Sequence, residues 1–328
     1  MALANKRILV TGGSGFIGSH LVETLVLDGA DVTVVNRPLE GKPDFLASVR
    51  TAVRQVHIDL REPAFETLLT ESRFDGVFHL AGTASVPQSV AEPCKDFENN
   101  LGLAMHLLEL IRTRRPDTPV LFASSAAVYG NPTQLPTTES AATHPISPYG
   151  ATRLAIESYA AVYSRQYQIP VASLRFFSVY GPRQRQLVVY DLINKLSTNP
   201  ATLTLIGAGT ETRDLIHVRD VARAAIAVLD RGTLEGEPYN VATGQSVTIR
   251  ELAGVIAGAM QVSPIITTTG LRREGDPVNW VADISRIRLL GFTPKIALKE
   301  GIASTVAWLQ ETEDRVAPGG KVNDRNHA

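Results

Sequence analysis

The sequence has one cysteine, few aromatic residues and no excess of charge of either sign. Cys94 stands alone among 328 residues, so no disulfide can form within the chain, and this cysteine usage is typical of a reducing compartment. Lys and Arg number 32 and Asp and Glu 33, which gives a net charge of -1. That balance excludes the overall basic field that gathers nucleic acid, so we expect no nucleic-acid partner.

Long apolar runs are also missing. No stretch approaches the roughly 20 residues that cross a bilayer, and the apolar run at residues 8–10 is too short for the core of a signal peptide. The 7 histidines are scattered, without cysteine or glutamate at the spacing of metal ligands. These absences predict a cytoplasmic protein with no membrane contact and no metal site.

The first half of the chain alternates short β-branched runs with longer helical patterns, which is typical of a parallel sheet flanked by helices. The strand candidates are residues 6–10, 31–36, 55–58, 76–80, 119–123 and 170–175. The helical patterns cover residues 18–28, 93–114 and 149–166. This order predicts an α/β fold with a doubly wound parallel sheet of the Rossmann type. His79 falls inside an apolar strand, so we expect it in the core.

A glycine-rich turn links the first strand to the first helix. Gly12, Gly15 and Gly18 follow the strand directly, with Phe16 and Ile17 between the last two. Glycines permit the tight turn and let backbone N–H groups approach a pyrophosphate at the helix N-terminus. The placement after a strand and before a helix therefore predicts a dinucleotide-binding turn.

The end of the next strand leaves the type of dinucleotide open. An acidic residue expected there, which selects NAD, is replaced by Asn36, followed by Arg37. Asn36 can bond a ribose hydroxyl without repelling a 2′-phosphate, and Arg37 either pairs with such a phosphate or points to solvent. NAD is the expected cofactor, and NADP stays open.

The alternation breaks after Gly181 and Pro182. Because one core rarely serves so long a chain, we predict two domains. The dinucleotide-binding domain takes residues 1–176 plus about 212–235, and a smaller, discontinuous α/β domain for the substrate takes about 177–211 plus 236–311. Residues 312–328, with Pro318, Gly319 and Gly320, are predicted to form a flexible tail.

Four segments occur in order at the spacing of a known family: residues 12–18, 79–82, 124–130 and 148–153. They resemble the extended short-chain dehydrogenase/reductase family, and within it the nucleotide-sugar 4-epimerases, over residues 6–310. The resemblance implies that Tyr149, Ser125 and Arg153 are catalytic. Tyr149 opens a helix one turn before Arg153, so the two share a face. A phenol needs such a nearby positive charge to act as a base at neutral pH.

Arg153 departs from the family, which places lysine there. Arginine keeps the charge but does not readily lose a proton, so a proton relay through this side chain would be lost. We expect retuned activity rather than none. A non-catalytic dinucleotide-binding sensor stays open, because Ser178 also replaces a usual asparagine that holds the nucleotide sugar.

The resemblance implies further contacts on both sides of the site. The implied cofactor-binding residues are Gly12, Gly15, Phe16, Ile17, Gly18, Asn36, Arg37, Asp59, Leu60, Ala81, Gly82, Asn99, Tyr149 and Arg153. The implied substrate-binding residues are Thr83, Ser85, Ser178, Arg185, Arg213, Arg273 and Asp276. Arg213 and Arg273 would meet a diphosphate, since guanidinium groups suit bidentate phosphate contacts, and Asp276 a ribose hydroxyl. Arg185 resembles the arginine that faces a C6 carboxylate in uronate epimerases, although residues 186–188 do not match that subgroup.

The reaction implied is 4-epimerisation of a nucleotide sugar, a UDP-hexose or UDP-hexuronate, by transient oxidation at C4. The resembling dehydratases carry acidic residues after the serine, whereas this chain has Ala126 and Ala127, which cannot perform acid–base work. A dehydratase or an NADPH-dependent 4-ketoreductase of the same superfamily remains the alternative enzyme. Residues 93–114 and 149–166 resemble the helix pair of the family's dimer interface, so we predict a homodimer.

Overall fold

The computed structural model describes residues 3–38, 43–271 and 278–314. Its centre is a seven-stranded sheet in which every neighbouring pair is parallel. The strands of this sheet are β1 (Arg7–Thr11), β2 (Asp31–Asn36), β3 (Val53–His57), β4 (Gly76–His79), β5 (Val120–Ser125), β6 (Val171–Phe176) and, after four short strands given below, β11 (Glu235–Val241). The order across the sheet is β11-β6-β5-β4-β1-β2-β3. The predicted doubly wound fold is confirmed, and the order reverses between β1 and β4, where ligands bind in such folds.

Helices cover both faces of this sheet. They are α1 (Phe16–Leu27), α2 (Pro63–Glu71), α3 (Val86–Ala91), α4 (Pro93–Phe97), α5 (Leu103–Arg114) and α6 (Pro148–Tyr167), followed later by α8 (Val218–Arg231). One apolar core lies between the sheet and α1 with α8, and a second lies between the sheet and α2, α5 and α6. Strands buried on both sides explain why residues 8–10 and 77–78 are apolar without alternation.

The second unit has three two-stranded sheets and its own core. Its strands are β7 (Ser178–Tyr180), β8 (Thr202–Leu205), β9 (Thr212–Arg213), β10 (Leu215–His217), β12 (Val247–Thr248) and β13 (Ile265–Thr268). Its helices are α7 (Leu187–Thr198), α9 (Ile249–Ala259), α10 (Ser285–Leu289) and α11 (Leu298–Asp314). A third apolar cluster joins α7, α9 and α11, separate from the two cores of the large sheet. This supports a smaller unit beyond residue 177.

Three sequence predictions need correction. The predicted domain boundary at 235/236 is wrong, because β11 pairs with β6 and extends the large sheet to Val241. The predicted helix over 93–114 is interrupted by a π-helical turn, Glu98–Gly102. The predicted tail begins too early, since α11 continues to Asp314, and residues 315–328 lie outside the described residues. None of the helices in the described part of the chain is long and apolar enough to cross a membrane.

Candidate active site

The glycine turn after β1 is built so that side chains are excluded. Gly12 has φ +74°, and a Cβ there would lie 2.6 Å from the backbone N of Ala81. A Cβ on Gly18 would lie 2.2 Å from the carbonyl oxygen of Gly12, so α1 packs directly on the turn. Gly15 caps the N-terminus of α1 with extended backbone. This close cradle of backbone at a helix N-terminus fits the pyrophosphate of a dinucleotide.

Asn36, predicted to contact the adenosine ribose, bonds to this turn. Its Oδ1 accepts from Ser14 N at 3.1 Å and its Nδ2 donates to Ser14 Oγ at 2.6 Å, so the buried amide braces the glycine turn. The neighbouring Arg37 is exposed. Asp59, predicted at the adenine, accepts two bonds from Arg61 at 2.8 and 2.9 Å, and this pairing lowers the pKa of the Asp59 carboxyl to about 2. Leu60 beside it is buried.

Tyr149 lies at the first turn of α6, where three local features fix it. Ser147 caps the helix by accepting from Gly150 N, and Pro148 occupies the first helical position, where its missing N–H costs nothing. The backbone N of Tyr149 donates to Ser89 Oγ at 3.1 Å. Ser125, at the end of β5, accepts from Ala127 N at 3.2 Å and lines the same cavity as the Tyr149 ring.

Arg153 lies one turn further along α6 and is 5% exposed. Its Nη1 donates to Ala123 O at 2.8 Å, and its Nη2 donates to Thr83 O and Asn100 Oδ1, both at 3.0 Å. The guanidinium carbon lies 5.0 Å from the centre of the Tyr149 ring. The structure therefore brings together the positive charge and the phenol that the sequence pairs.

The asparagine that reaches this cluster is Asn100 rather than its neighbour Asn99. Asn100 is 1% exposed and bonds Thr83 and Asp96 as well as Arg153, whereas Asn99 is half-buried one position earlier in the π-helical turn. The sequence reasoning missed Asn100 because the spacing Asn-x-x-Gly pointed to Asn99. A π-helical turn holds one more residue than an α-turn, which changes the residue that faces inward.

The segment that follows β4 contains residues predicted to bind the cofactor, Ala81 and Gly82, and residues predicted to bind the substrate, Thr83 and Ser85. Ala81 contacts the glycine turn. Gly82 has φ +147°, and a Cβ at this position would lie 2.4 Å from Asn100 Oδ1. Thr83 is tied into the Arg153 cluster, while Ser85 caps α3 by accepting from Gln88 N. Both hydroxyls predicted to meet substrate therefore have protein partners.

A cavity of about 590 Å³ opens between the Tyr149 end of α6 and the second unit. Seven predicted site residues line it: Phe16, Ile17, Ser125, Tyr149, Ser178, Arg185 and Arg213. Lys195, Glu211 and Trp280 also line it and were not predicted. Glu211 accepts from the backbone N atoms of Ala208 and Gly209 and so shapes the loop before Arg213.

The arginines of the cavity are held by aromatic rings and carbonyls. Arg213 donates to Thr212 O at 2.8 Å and lies 5.8 Å from the Trp280 ring centre. Arg185 lies 5.8 Å from the ring centre of Trp308 in α11. Both arginines line the cavity, and guanidinium groups suit an anionic ligand. Arg273 and Asp276, predicted at the phosphate and ribose, lie outside the described residues.

A buried polar chain lies behind the serine strand. Ser124 Oγ donates to Glu157, which pairs with Arg175 Nη2 at 2.7 Å, and Arg175 Nη1 donates to Tyr129 Oη at 2.7 Å. Burial makes each partner costly to remove, so this chain fixes the end of β5 on which Ser125 stands.

His79 is buried in β4, as its apolar surroundings predict, with Nδ1 2.9 Å from Thr11 Oγ1. Burial lowers the pKa of its imidazole to about 3, so the ring is neutral at physiological pH. No group of three or more metal-ligating side chains occurs within residues 3–38, 43–271 and 278–314.

The model of the NAD dependent epimerase/dehydratase family matches residues 8–242. The chain belongs to this family. A UDP-glucose 4-epimerase of Mycolicibacterium smegmatis is 34% identical over 310 residues, which cover 93% of this chain and 98% of that protein. The expected membership of the extended short-chain dehydrogenase/reductases, among the nucleotide-sugar 4-epimerases, is confirmed.

Solved structures of relatives share the fold over almost their whole length. UDP-glucose 4-epimerase of Thermotoga maritima, solved with UDP-glucose, has a TM-score of 0.85 and 31% identity and matches 94% of this chain and 99% of that one. UDP-glucuronic acid 4-epimerase of Bacillus cereus, solved with UDP-glucuronic acid and NAD, has a TM-score of 0.83 and 28% identity and matches 93% and 99%.

Proposed function

We propose that this protein is a UDP-sugar 4-epimerase that works with bound NAD. The observation that carries the proposal is that Tyr149 and Ser125 line one cavity, which is large enough for a sugar nucleotide, while the buried Arg153 guanidinium lies against the Tyr149 ring. The names of the related proteins support a UDP-linked hexose or hexuronate as substrate. A dinucleotide fits between the glycine turn around Gly12 and the Nε of Arg153. This Nε is buried and has no hydrogen-bond partner among the described residues.

The chain's own residues handle the proton. When bound, NAD supplies the site that accepts a hydride from C4 of the sugar and returns it. Tyr149, as phenolate, accepts the proton of the 4-hydroxyl, and Ser125 holds that hydroxyl in line with a hydrogen bond. The fixed positive charge of Arg153 stabilises the phenolate. Once the 4-keto sugar had turned in the cavity, Tyr149 would return the proton to the oxygen at C4.

Loss of water needs an acid or base near C5 and C6, and the residues after Ser125 do not supply one. Ala126 and Ala127 are buried methyl groups, 0% and 8% exposed. A hydride that leaves and returns needs no further carboxylate there. This favours epimerisation over the dehydratase chemistry of the same family.

The second unit holds the nucleotide sugar. Arg213 is proposed to bind the diphosphate, with the predicted Arg273 and Asp276 at phosphate and ribose. Ser178 lines the cavity and is shorter than asparagine, so we expect its contact with the sugar to be weaker or bridged by water. Arg185 also lines the cavity and resembles the arginine that faces a C6 carboxylate in uronate epimerases, which makes UDP-glucuronate the substrate to compare with UDP-glucose.

We also propose a homodimer, formed through α4 and α6. Phe97 on α4 is 54% exposed, and Tyr159 and Val162 on α6 are 44% and 43% exposed. Because Tyr159 and Val162 are three residues apart on one helix, they share a face. Large apolar side chains gathered on packed helices are typical of an interaction surface.

The exposed, free Cys94 on α4 is consistent with action in the cytoplasm.

The test is to incubate purified protein, without added cofactor, with UDP-glucose, UDP-galactose, UDP-glucuronate and their N-acetyl counterparts. Products are read by mass and by proton NMR of the anomeric region. A new sugar of unchanged mass is expected. A product lighter by one water would replace the proposal by a dehydratase, and turnover only with added NADPH would replace it by a reductase.

A further inference from the structure

A buried carboxylate that the mechanism above does not use lies behind Arg153. Asp96, in α4, is 4% exposed. Its Oδ1 accepts from Asn100 Nδ2 at 2.8 Å and from Thr83 Oγ1 at 3.3 Å, and its Oδ2 accepts from Thr152 Oγ1 at 2.8 Å. The charge is therefore satisfied entirely by neutral donors, and Arg153 is not among them.

The carboxylate favours one orientation of the Asn100 amide. An ionised carboxylate can only accept, so the NH2 group of Asn100 must point to it. The amide oxygen then points the other way, where it accepts from Thr83 N and from Arg153 Nη2, both at 3.0 Å. Asp96 thus supports this orientation of Asn100 together with Thr83, whose N–H donates to the amide oxygen and whose Oγ1 accepts from Nδ2 at 3.0 Å.

Arg153 needs this orientation because it can act on Tyr149 only through its position. Its guanidinium stays charged, so it neither gains nor loses a proton during turnover. Three acceptors fix it: Ala123 O, Thr83 O and Asn100 Oδ1. If the Asn100 amide turned over, its NH2 group would face the guanidinium, donor against donor.

We propose that Asp96 is a positioning residue for proton transfer, acting through the Asn100 amide to hold Arg153 against Tyr149. The inference rests on the function proposed above. The charged and titratable groups near Tyr149 and Arg153 include His79 from β4, Asp96 from α4 and Glu157 one turn further along α6. Asp191 and Lys195 from α7 line the cavity beside Tyr149, as do Arg185, Glu211 and Arg213 from the segments before α7 and at β9. Asp96 is connected to Arg153 through the side chain of Asn100.

Two substitutions separate this role from a plain effect of charge. In Asp96→Asn the new amide can turn its oxygen to Asn100 and its NH2 group to the Thr152 hydroxyl, which then accepts. The network survives, and the pH profile of kcat should stay close to that of the original protein. In Asp96→Leu the NH2 group of Asn100 keeps only the Thr83 hydroxyl, which has itself lost the carboxylate to which it donates. The Asn100 amide is then held less firmly, and Arg153 can move away from the phenol.

For Asp96→Leu we expect kcat at neutral pH to fall about tenfold, with KM changed less than about threefold, because the phenol loses its stabilising cation. The acid limb of the kcat profile should move up by roughly one pH unit. If Asp96 acted through its charge alone, both substitutions would move this limb downward by the same amount, since losing a negative charge favours phenolate. That result, or an unchanged limb in Asp96→Leu, would overturn the proposal.

Asn100→Leu is the second variant, which keeps Asp96 and the formal charge of the site but removes the acceptor from Arg153. It should raise the acid limb as Asp96→Leu does; an unmoved limb contradicts the proposal. Glu98→Gln is the control. Glu98 is exposed and lies two residues after Asp96, and its substitution removes one negative charge, as Asp96→Asn does. The pH profile of kcat should stay unchanged.

Tyrosinate absorbance gives a reading that does not depend on turnover. Each variant is titrated with and without Tyr149→Phe, and the difference reports the Tyr149 phenol alone. A failure of the proposed function would appear as no product from any UDP-sugar with the original protein. A failure of this inference would appear as a Tyr149 titration that is the same in Asp96→Leu, Asn100→Leu and the original protein.

Discussion

The guanidinium carbon of Arg153 lies 5.0 Å from the centre of the Tyr149 ring, one turn away on the same helix. The same guanidinium donates to the carbonyl of Ala123, near the end of β5, and to the carbonyl of Thr83, in the segment that follows β4. A fixed cation therefore connects the sheet edge with the phenol. In the proposed mechanism Arg153 therefore acts through the position of its charge and not by exchanging a proton.

Tyr149→Phe should abolish epimerisation, because the hydroxyl that accepts the substrate proton is gone. We expect a fall in kcat of about 10³-fold or more, the range of general acid–base catalysis. Cofactor released on denaturation should be unchanged. Tyr167→Phe, near the far end of the same helix and exposed, is the matched control and should keep its activity. Activity near the original level in Tyr149→Phe would refute the assignment of the base.

Arg153→Lys and Arg153→Met separate charge from hydrogen bonding. Lysine keeps the charge but has one nitrogen for three acceptors, so we expect kcat to fall by about tenfold or less. Methionine removes the charge, and we expect a loss of about 100-fold with the acid limb of kcat moved to higher pH. Steady-state rates across pH measure both. Equal activities for the two variants would mean that the charge of residue 153 does not stabilise the phenolate.

Gly18→Ala should weaken cofactor retention and stability together. A Cβ there would lie 2.2 Å from Gly12 O, so α1 must move off the glycine turn. NAD released on denaturation and the thermal midpoint are the measurements, and both should fall. Gly254→Ala is the control within a helix: nothing lies within 4 Å of its Cβ, and alanine should stabilise α9 by about 1 kcal/mol. Full NAD content in Gly18→Ala would contradict the fit of the turn to the pyrophosphate.

Three buried histidines predict acid sensitivity. Burial lowers the pKa of His20 and of His217 to about 4 and that of His79 to about 3. In the unfolded chain a histidine has a pKa of about 6.5, so the unfolded state takes up protons first as pH falls. Above about pH 6.5 these histidines are neutral in both states, and the folded protein keeps its full free energy of unfolding. As pH falls toward 4, protonation of the unfolded chain lowers that free energy, by about 2 kcal/mol for each histidine at pH 5.

Urea unfolding at pH 7 and pH 5 measures this loss. His20→Gln, whose amide can still donate to Pro182 O as His20 Nε2 does at 2.9 Å, should shrink the difference between the two pH values by about 2 kcal/mol. His57→Gln, at an exposed position, should leave the difference as it is. An equal loss in all three proteins would show that His20 is not the group responsible.

A charge on the α6 face should separate the proposed dimer. Tyr159→Glu combined with Val162→Glu places two carboxylates on the apolar face, and light scattering should report a monomer where the original protein is a dimer. Leu289→Glu, 88% exposed on α10, changes an apolar side chain elsewhere and should leave the mass unchanged. A monomer in the original protein would refute the homodimer.

Local motifs carried most of what the sequence could predict. The glycine turn, the Tyr149 to Arg153 spacing and the strand over residues 31–36 depend on neighbouring residues alone, and the structure has them at those positions. β11 was missed because its residues, Glu-Gly-Glu-Pro-Tyr-Asn-Val, are poor strand formers. The strand exists because it pairs with β6 at the edge of the sheet, where Pro238 is tolerated.

The rest of the site depends on contacts between segments far apart in the chain. Asn100 reaches Arg153 from a π-helical turn, whereas the motif resemblance pointed only to Asn99, as a cofactor contact. Lys195, Glu211 and Trp280 reach the cavity from separate segments of the second unit. Their approach is set by how three short sheets pack, and no local pattern records it.

The late arrival of β11 bears on how the chain folds while it is being synthesised. The pairing partner of β6 is made only after the whole segment 177–234, so until then β6 is an edge strand with unpaired backbone groups. When a domain folds while it is being synthesised, such an edge strand is exposed to pairing with another chain only for a short time. In this protein the large sheet is completed only after the first part of the smaller unit, which includes β7 to β10, has been made. Truncations that end between residues 177 and 234 should therefore aggregate rather than give a free dinucleotide-binding domain.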